Sequence, residues 1–300
     1  MVAVIGATGN TGKVVAETLL ARGQRVRVIG RDAKRLEPLV QKGAEASIAE
    51  ASDAAALTKA FAGARAVYVM IPPNLASPDV RAYQEKVSDA QAQAIAQTGV
   101  EYAALLSSVG ADKPEKTGPV LGLRHFEEKL NANGRLNALY IRAGYFMENL
   151  LAQVSVIKNF GMVGGPVRAD LALPIIATRD IGAFAAQALL QLDFQGKRAV
   201  ELVGQRDLDY REATAVIGKA IGRPGLSYSQ LPAWQLKPAL AAMGMSSSMA
   251  DELLEMSEAL NSGYMRPLES RSAANTTPTS IEQFVAEHFV PLFTGKTAGA

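Results

Sequence analysis

The sequence predicts an α/β protein: a doubly wound parallel sheet followed by a smaller, mostly helical C-terminal part. Three observations carry this. The chain opens on an apolar run, Met1 to Ile5, which passes through Gly6-Ala7-Thr8-Gly9-Asn10-Thr11-Gly12 into helix-forming residues up to Ala21. Strand-like and helix-like stretches then alternate regularly as far as Asn149, the pattern of a parallel sheet with helices on both faces. Beyond Asn149 the alternation loosens and helical sequence dominates.

The 300 residues are 48% hydrophobic and 20% charged, ordinary for a globular protein with ample material for a core. The expected division is a first domain over 1–150 and a second over 151–300, with strands near 173–177 and 198–203 returning to the first core. A net charge of +2 gives no reason to expect a nucleic-acid partner. The absence of cysteine excludes disulfides, thiolate metal sites and cysteine nucleophiles, and no metal site is expected. The best candidate for a membrane span, Ile175 to Leu192, is broken by Arg179 and Asp180. Met1 leads straight into a strand rather than a leader, so a cytoplasmic protein is expected.

Strand, glycine-rich turn and helix start, in that order, form the arrangement that holds a dinucleotide pyrophosphate. Glycine lets backbone approach the phosphates closely, and the helix start offers free N–H groups to negative charge. Gly6, Thr8, Gly9, Asn10, Thr11 and Gly12 are therefore candidate cofactor residues. A second strand, Arg25 to Ile29, ends at Gly30 and Arg31, with Lys34 close behind. In a Rossmann fold this strand end meets the adenosine ribose, where an acidic residue selects NAD. Here Arg31, helped by Lys34, is placed to pair with the 2′-phosphate of NADP. Asp32 stands at the spacing of the NAD carboxylate but just before helical sequence, Ala33 to Gln41, and is read as its N-cap.

The third strand, Gly43 to Ile48, is followed by Glu50, which can reach the adenine, and by Asp53, which caps the helix from Ala54 to Phe61. Ala64 to Ile71 is the most strand-like run in the chain. It closes on Pro72 and Pro73, which stiffen the wall of the expected cleft over the cofactor. A helix over Pro78 to Thr98 follows, then a fifth strand, Val100 to Leu106. Ser107 and Ser108 at its end either bond a substrate oxygen or close the turn onto backbone. In the next helical stretch, Leu123 to Leu130, His125 and Lys129 lie one turn apart on one face. His125 is the natural proton carrier near neutral pH, or else a surface histidine beside a solvated lysine. A sixth strand, Leu136 to Arg142, leads into Ala143-Gly-Tyr-Phe-Met-Glu-Asn149.

In the second half, Leu173 to Ala177 and Arg198 to Val203 read as strands, and Ile181 to Leu192 as a helix. Residues Tyr210 to Ser262 read as helical apart from an extended piece at Leu226–Leu231. Met243, Met245, Met249 and Met256 either line an adaptable apolar pocket or fill core. Thr279 with Glu282 reads as a capping box for a last helix to about Phe289, and a disordered tail is expected from Thr294.

The chain resembles NmrA-like members of the atypical short-chain dehydrogenase/reductase superfamily. The likeness rests on Gly6-Ala-Thr-Gly-Asn-Thr-Gly12, on Arg31, on Arg142-Ala-Gly-Tyr-Phe-Met-Glu-Asn149 and on Thr178-Arg-Asp-Ile-Gly182, and it extends to about Pro291. The resemblance implies an NADP(H)-binding Rossmann domain with a small C-terminal substrate domain and a cleft between them. Some members resemble NADPH-dependent quinone, azo-dye or triphenylmethane reductases; others bind the dinucleotide as redox sensors. Ordinary short-chain dehydrogenases use a Tyr-x-x-x-Lys pair, yet none of the eight tyrosines here has a lysine four residues on. At the comparable place this sequence offers His125-x-x-x-Lys129. Carried over, Lys129 touches the nicotinamide ribose and His125 stands where the tyrosine acts.

Two functional readings follow. The first is an NADPH-dependent oxidoreductase reducing a small apolar electrophile, quinone-like or azo, in a cleft bounded by Ile71, Pro72, Ser107, His125, Tyr145, Phe146 and residues of the helical cap, with Tyr145, Phe146 and Asn149 the substrate-binding candidates. The second is a non-catalytic NADP(H) sensor acting through a partner protein. A ligand-sized pocket at the nicotinamide face separates them. Monomer and homodimer both remain open.

Overall fold

The computed structural model describes residues 1–295. Seven strands form the central sheet: β1 (Val2–Ile5), β2 (Val26–Gly30), β3 (Glu45–Ile48), β4 (Ala66–Val69), β5 (Tyr102–Ser108), β6 (Asn137–Ala143) and a late strand, Lys197–Leu202. Every pairing among them is parallel, and the late strand lies beside β6 at the edge. β1 and β4 are neighbours in the centre, so the chain reverses its winding between them. Ligands of such sheets bind outside the carboxyl ends of the strands at that reversal.

Between the strands run α1 (Asn10–Ala21), α2 (Ala33–Val40), α3 (Ala54–Phe61), α4 (Val80–Thr98) and α5 (Val120–Asn131). Short acidic caps start three of them: Asp32 accepts from the Lys34 N–H at 2.8 Å, Asp53 from Ala56 at 3.0 Å and Asp79 from Ala82 at 2.9 Å. Asp32 is thus the cap its position predicted. The strands alternate their side chains between two apolar layers. One holds Val2, Val4 and Tyr68 against Val15 and Leu19 of α1. The other holds Ala3, Ile5 and Val67 against Phe61, Ile95 and Phe126.

After β6 the chain leaves the sheet at Gly144, which lies so close to Pro174 that a Cβ would stand 2.2 Å from its carbonyl oxygen. There follow β7 (Tyr145–Phe146), α6 (Gln153–Phe160), β8 (Val163–Gly165), β9 (Leu173–Ile176) and α7 (Thr178–Gln191). β9 therefore pairs with β7 and not with the central sheet, which corrects the expected return of 173–177. The late strand Lys197–Leu202, β10, does join it. β11 (Asp207–Leu208) pairs with β9, and β12 (Tyr228–Gln230), the extended piece, with β8. The remaining helices are α8 (Tyr210–Ala220), α9 (Ala233–Ala242), α10 (Ser247–Asn261), α11 (Ile281–Phe284) and, beyond a π turn at Val285–Phe289, α12 (Val290–Thr294). A third apolar cluster, including Ile157, Ile175, Ile217 and Phe284, holds this second half together.

Two motifs quoted for the resemblance meet here. The Glu148 carboxylate accepts from the Thr178 N–H at 3.1 Å and from its hydroxyl at 2.5 Å, capping α7 from another segment. Asp180 accepts from the Thr279 N–H and hydroxyl. That engages Thr279, so the last helical segment is capped one residue later, by Ser280 accepting from Gln283. Gly182 lets α7 approach α1, where a Cβ would stand 2.7 Å from the Thr11 carbonyl oxygen. The tail expected to lack order begins at Thr294, which closes α12; residues 296–300 lie outside the described ones. Among the described residues no helix is long and apolar enough to cross a membrane.

Candidate active site

At the carboxyl end of β1 the backbone makes a cradle. Gly6 has φ +67°, and its carbonyl accepts from the Gly9 N–H at 2.9 Å. A Cβ at Gly12 would stand 2.3 Å from that same oxygen, so no larger residue fits the loop. Gly9 begins α1 without a capping side chain, which leaves the first-turn N–H groups facing outward. Thr8 is half-buried, and Gly9 and Asn10 are exposed beside these groups. The Thr11 hydroxyl points inward instead and accepts from the buried Tyr68 at 2.8 Å. Thr11 can thus offer a ligand its N–H but not its side chain.

Next to the cradle, Arg31 at the end of β2 is 70% exposed and stands 4.0 Å from Glu50 after β3. Lys34 is exposed in the first turn of α2. Tyr83 of α4 donates to the Pro72 carbonyl at 2.9 Å, tying α4 to the wall after β4.

From there a cavity of about 580 Å³ opens over the ends of β4, β5 and β6. Of the residues singled out from sequence, Ile71, Pro72, Ser107, Tyr145, Phe146 and Asn149 line it. Its far wall comes from α10, through Met249, Leu253 and Met256, and from the loop Gly263–Pro267. Met243 is 60% exposed and Met245 is outside the wall, so only part of the methionine set faces the cavity. Arg266 is the one charged residue in the wall among the described residues.

His125 and Lys129 are not brought into this cavity. His125 Nε2 and Lys129 Nζ each lie 3.0 Å from Asp89 Oδ1 on α4. Burial pushes the Asp89 carboxyl up, but these hydrogen bonds outweigh it and hold it below its ordinary value. The face of α5 that meets the cavity carries Pro119, just before its first turn, Val120 and Leu123. His125 lies two residues from Leu123, about 200° around the helix. Gly122 fixes that rotation: Gln84 of α4 packs so closely that a Cβ would stand 2.4 Å from its Oε1.

Ser107 lies at the cavity but its hydroxyl donates to Glu127 Oε1 at 2.6 Å. Glu127 is in turn bidentate with Arg142, at 3.0 and 2.6 Å, and both are largely buried. The Glu127 hydrogen bonds raise the Arg142 guanidinium further above its ordinary value. This pairing ties α5 to β5 and β6 beneath the cavity floor. Ser108 donates to the Val109 carbonyl, a local turn bond. Glu127, Tyr83, Leu123, Gly144 and the loop Gly263–Pro267 were not found from sequence. The Glu127 pairing has no local signal, since its partners stand 15 and 20 residues away.

The sequence pattern of the NmrA-like family matches residues 1–286. The chain belongs to the NmrA-like family. Among its relatives, the NAD(P)H azoreductase of Xenophilus azovorans is 28% identical over 85% of this chain and 86% of its own. Quinone oxidoreductase 2 of Escherichia coli is 27% identical over 85% of this chain and 86% of its own. The fold matches the crystal structure of an NADPH-dependent quinone oxidoreductase from Escherichia coli complexed with NADPH. The TM-score is 0.75 at 21% identity, over 96% of this chain and 100% of that one. In this NmrA-like chain, the parallel sheet and its order accord with the fold class expected from the glycine turn and the alternation.

Proposed function

We propose that the protein is an NADP(H)-dependent oxidoreductase that reduces a small apolar acceptor, quinone-like or azo. The observation that carries this reading is the cavity: it is ligand-sized, nearly free of charge, and continuous with the end of the central sheet beside the glycine cradle. A sensor would need no such space at the nicotinamide end. Similarity to proteins named azoreductase and quinone oxidoreductase supports the same acceptor class.

The residues fit the dinucleotide. Gly6, Thr8, Gly9, Asn10, Thr11 and Gly12 hold the pyrophosphate by backbone approach and by first-turn N–H groups. Arg31, with Lys34 beside it, takes the 2′-phosphate, and Glu50 orients the guanidinium. Ile71 and Pro72 form the wall along the ribose and nicotinamide. When bound, NADPH supplies the hydride. The chain's own part is to hold the acceptor flat against that hydride, to exclude water with Leu123, Phe146, Met249 and Met256, and to keep the floor rigid through Ser107, Glu127 and Arg142.

The test is the rate of NADPH oxidation by purified protein with quinones, azo dyes and enones, with NADH alongside. Turnover above the uncatalysed rate with quinones or azo dyes is expected. Silence across all classes, in protein that binds NADPH, would overturn the reading and favour a sensor.

A further inference from the structure

A reduction also needs a proton, and few groups in the cavity wall can give one. Four wall residues carry a hydroxyl: Tyr83, Ser107, Ser108 and Tyr145. Three have committed their hydrogen elsewhere, Tyr83 to the Pro72 carbonyl, Ser107 to Glu127 and Ser108 to the Val109 carbonyl. Tyr145 has not. Its oxygen lies 3.0 Å from the Tyr210 hydroxyl. Tyr210 is 7% exposed and has no other hydrogen-bond partner for that hydroxyl among the described residues. A buried hydroxyl is satisfied by donating, so Tyr210 donates and Tyr145 accepts. The hydrogen of Tyr145 is then left for the cavity.

The pair is firmly held. Tyr210 stacks on Tyr228 with ring centroids 4.5 Å apart at 24°, and Tyr145 meets Tyr210 edge-on at 6.4 Å. The Tyr228 hydroxyl donates to the Val167 carbonyl at 2.6 Å, which locks the outer ring. β7, α8 and β12 thus each contribute one ring to the cluster, and Tyr210 of α8 meets the Tyr145 oxygen.

We propose that Tyr145 is the proton donor to the bound acceptor and that Tyr210 is its positioning residue, an inference that rests on the reductase reading above. The acceptor takes two electrons and a hydrogen as hydride from NADPH, which leaves as NADP⁺. The oxygen or nitrogen that gains negative charge takes the Tyr145 proton; the Tyr145 O–H bond breaks as the new bond forms. The phenolate left behind accepts the Tyr210 hydrogen bond and is reprotonated by water through the cavity mouth. Burial raises the Tyr145 phenol above its ordinary value, and hydrogen bonds from Tyr210 and Asn149 pull it back. The titratable groups facing Tyr145 are Tyr210 and, behind it, Tyr228; Arg266 is the charged group in the same cavity wall.

Tyr145→Phe and Tyr210→Phe keep both rings and test the assignment. With a quinone acceptor, Tyr145→Phe is expected to lower kcat on the order of 100-fold, the scale of general acid catalysis, with NADPH affinity held. The alkaline limb of the kcat profile should vanish in Tyr145→Phe and move to higher pH in Tyr210→Phe, because a lost donor destabilises the phenolate. A second readout needs no cofactor: alkaline titration of phenolate absorbance. The phenol missing in Tyr145→Phe should titrate at higher pH in Tyr210→Phe. Unchanged kcat and alkaline limb in Tyr145→Phe would overturn the donor role while leaving the reductase reading intact. An unmoved phenol in Tyr210→Phe would overturn the positioning role. Wild-type protein that binds NADPH and reduces nothing would defeat the reductase reading, and the donor role with it.

Discussion

The cleft has two ends built by different means. The glycine cradle is made of backbone: a positive φ at Gly6, a 2.9 Å turn bond and an oxygen so near Gly12 that only hydrogen fits between. The cavity at the other end is made of side chains from the segment after β4, from β5, α5, β7 and α10 and from the loop after α10. A phosphate site needs N–H groups in a fixed array, which seven consecutive residues can supply. An apolar site needs a surface closed on all sides, which distant segments must share. The first is therefore specified locally and the second only by packing.

The largest effect expected from breaking this contrast is at the cradle. Gly9→Val should abolish measurable NADPH binding while the fold survives, since the added Cβ meets only the Gly6 oxygen, at 3.3 Å. Fluorescence titration and circular dichroism read the two halves of that statement. Unchanged affinity would mean that the phosphates lie elsewhere. Arg31→Ala comes next. One charge-assisted contact is worth about 1.5–3 kcal/mol, so NADPH affinity should fall roughly tenfold to hundredfold and NADH affinity hardly at all. Equal losses would remove Arg31 from the 2′-phosphate.

On the cavity side, Glu148→Ala removes the cap that joins the Tyr145 segment to α7. A cap of this kind is worth about 1–2 kcal/mol, to be read as a shift in the urea midpoint. A shift near zero would make the Glu148–Thr178 contact incidental. The smallest effect should come from His125→Ala. Because His125 hydrogen-bonds Asp89 on α4 and does not line the cavity, turnover of any acceptor should stay within about twofold of wild type. A large selective loss with carbonyl acceptors would place His125 at the chemistry after all.

The same contrast explains what could be read from the sequence. β1, the glycine turn and α1 are contiguous, and Asp32 and Asp53 announce the helices they cap. Strand and helix alternation carried the sheet, because each parallel strand must be followed by a crossover. The rotation of α5 was not readable. It depends on Gln84, 38 positions from Gly122, and it decides that Pro119 and Leu123 face the cavity while His125 and Lys129 face α4. Tyr145, Phe146 and Asn149 were found through their place after the sixth strand, but Tyr210 was not, since nothing local links it to Tyr145 across 65 positions. Ser107 was found as a cavity residue, while its bond to Glu127 required α5 to be in place.

The central claim is direct transfer of hydride within this cavity, and a single-turnover experiment tests it most directly. Protein saturated with NADPH, or with NADPH carrying deuterium at the transferred position, is mixed rapidly with a quinone, and nicotinamide absorbance is followed. The account predicts a loss of that absorbance faster than in free solution, slowed by the deuterium, with the label recovered in the reduced product. NADPH that persists in saturated protein, or is oxidised no faster than in buffer, would contradict it.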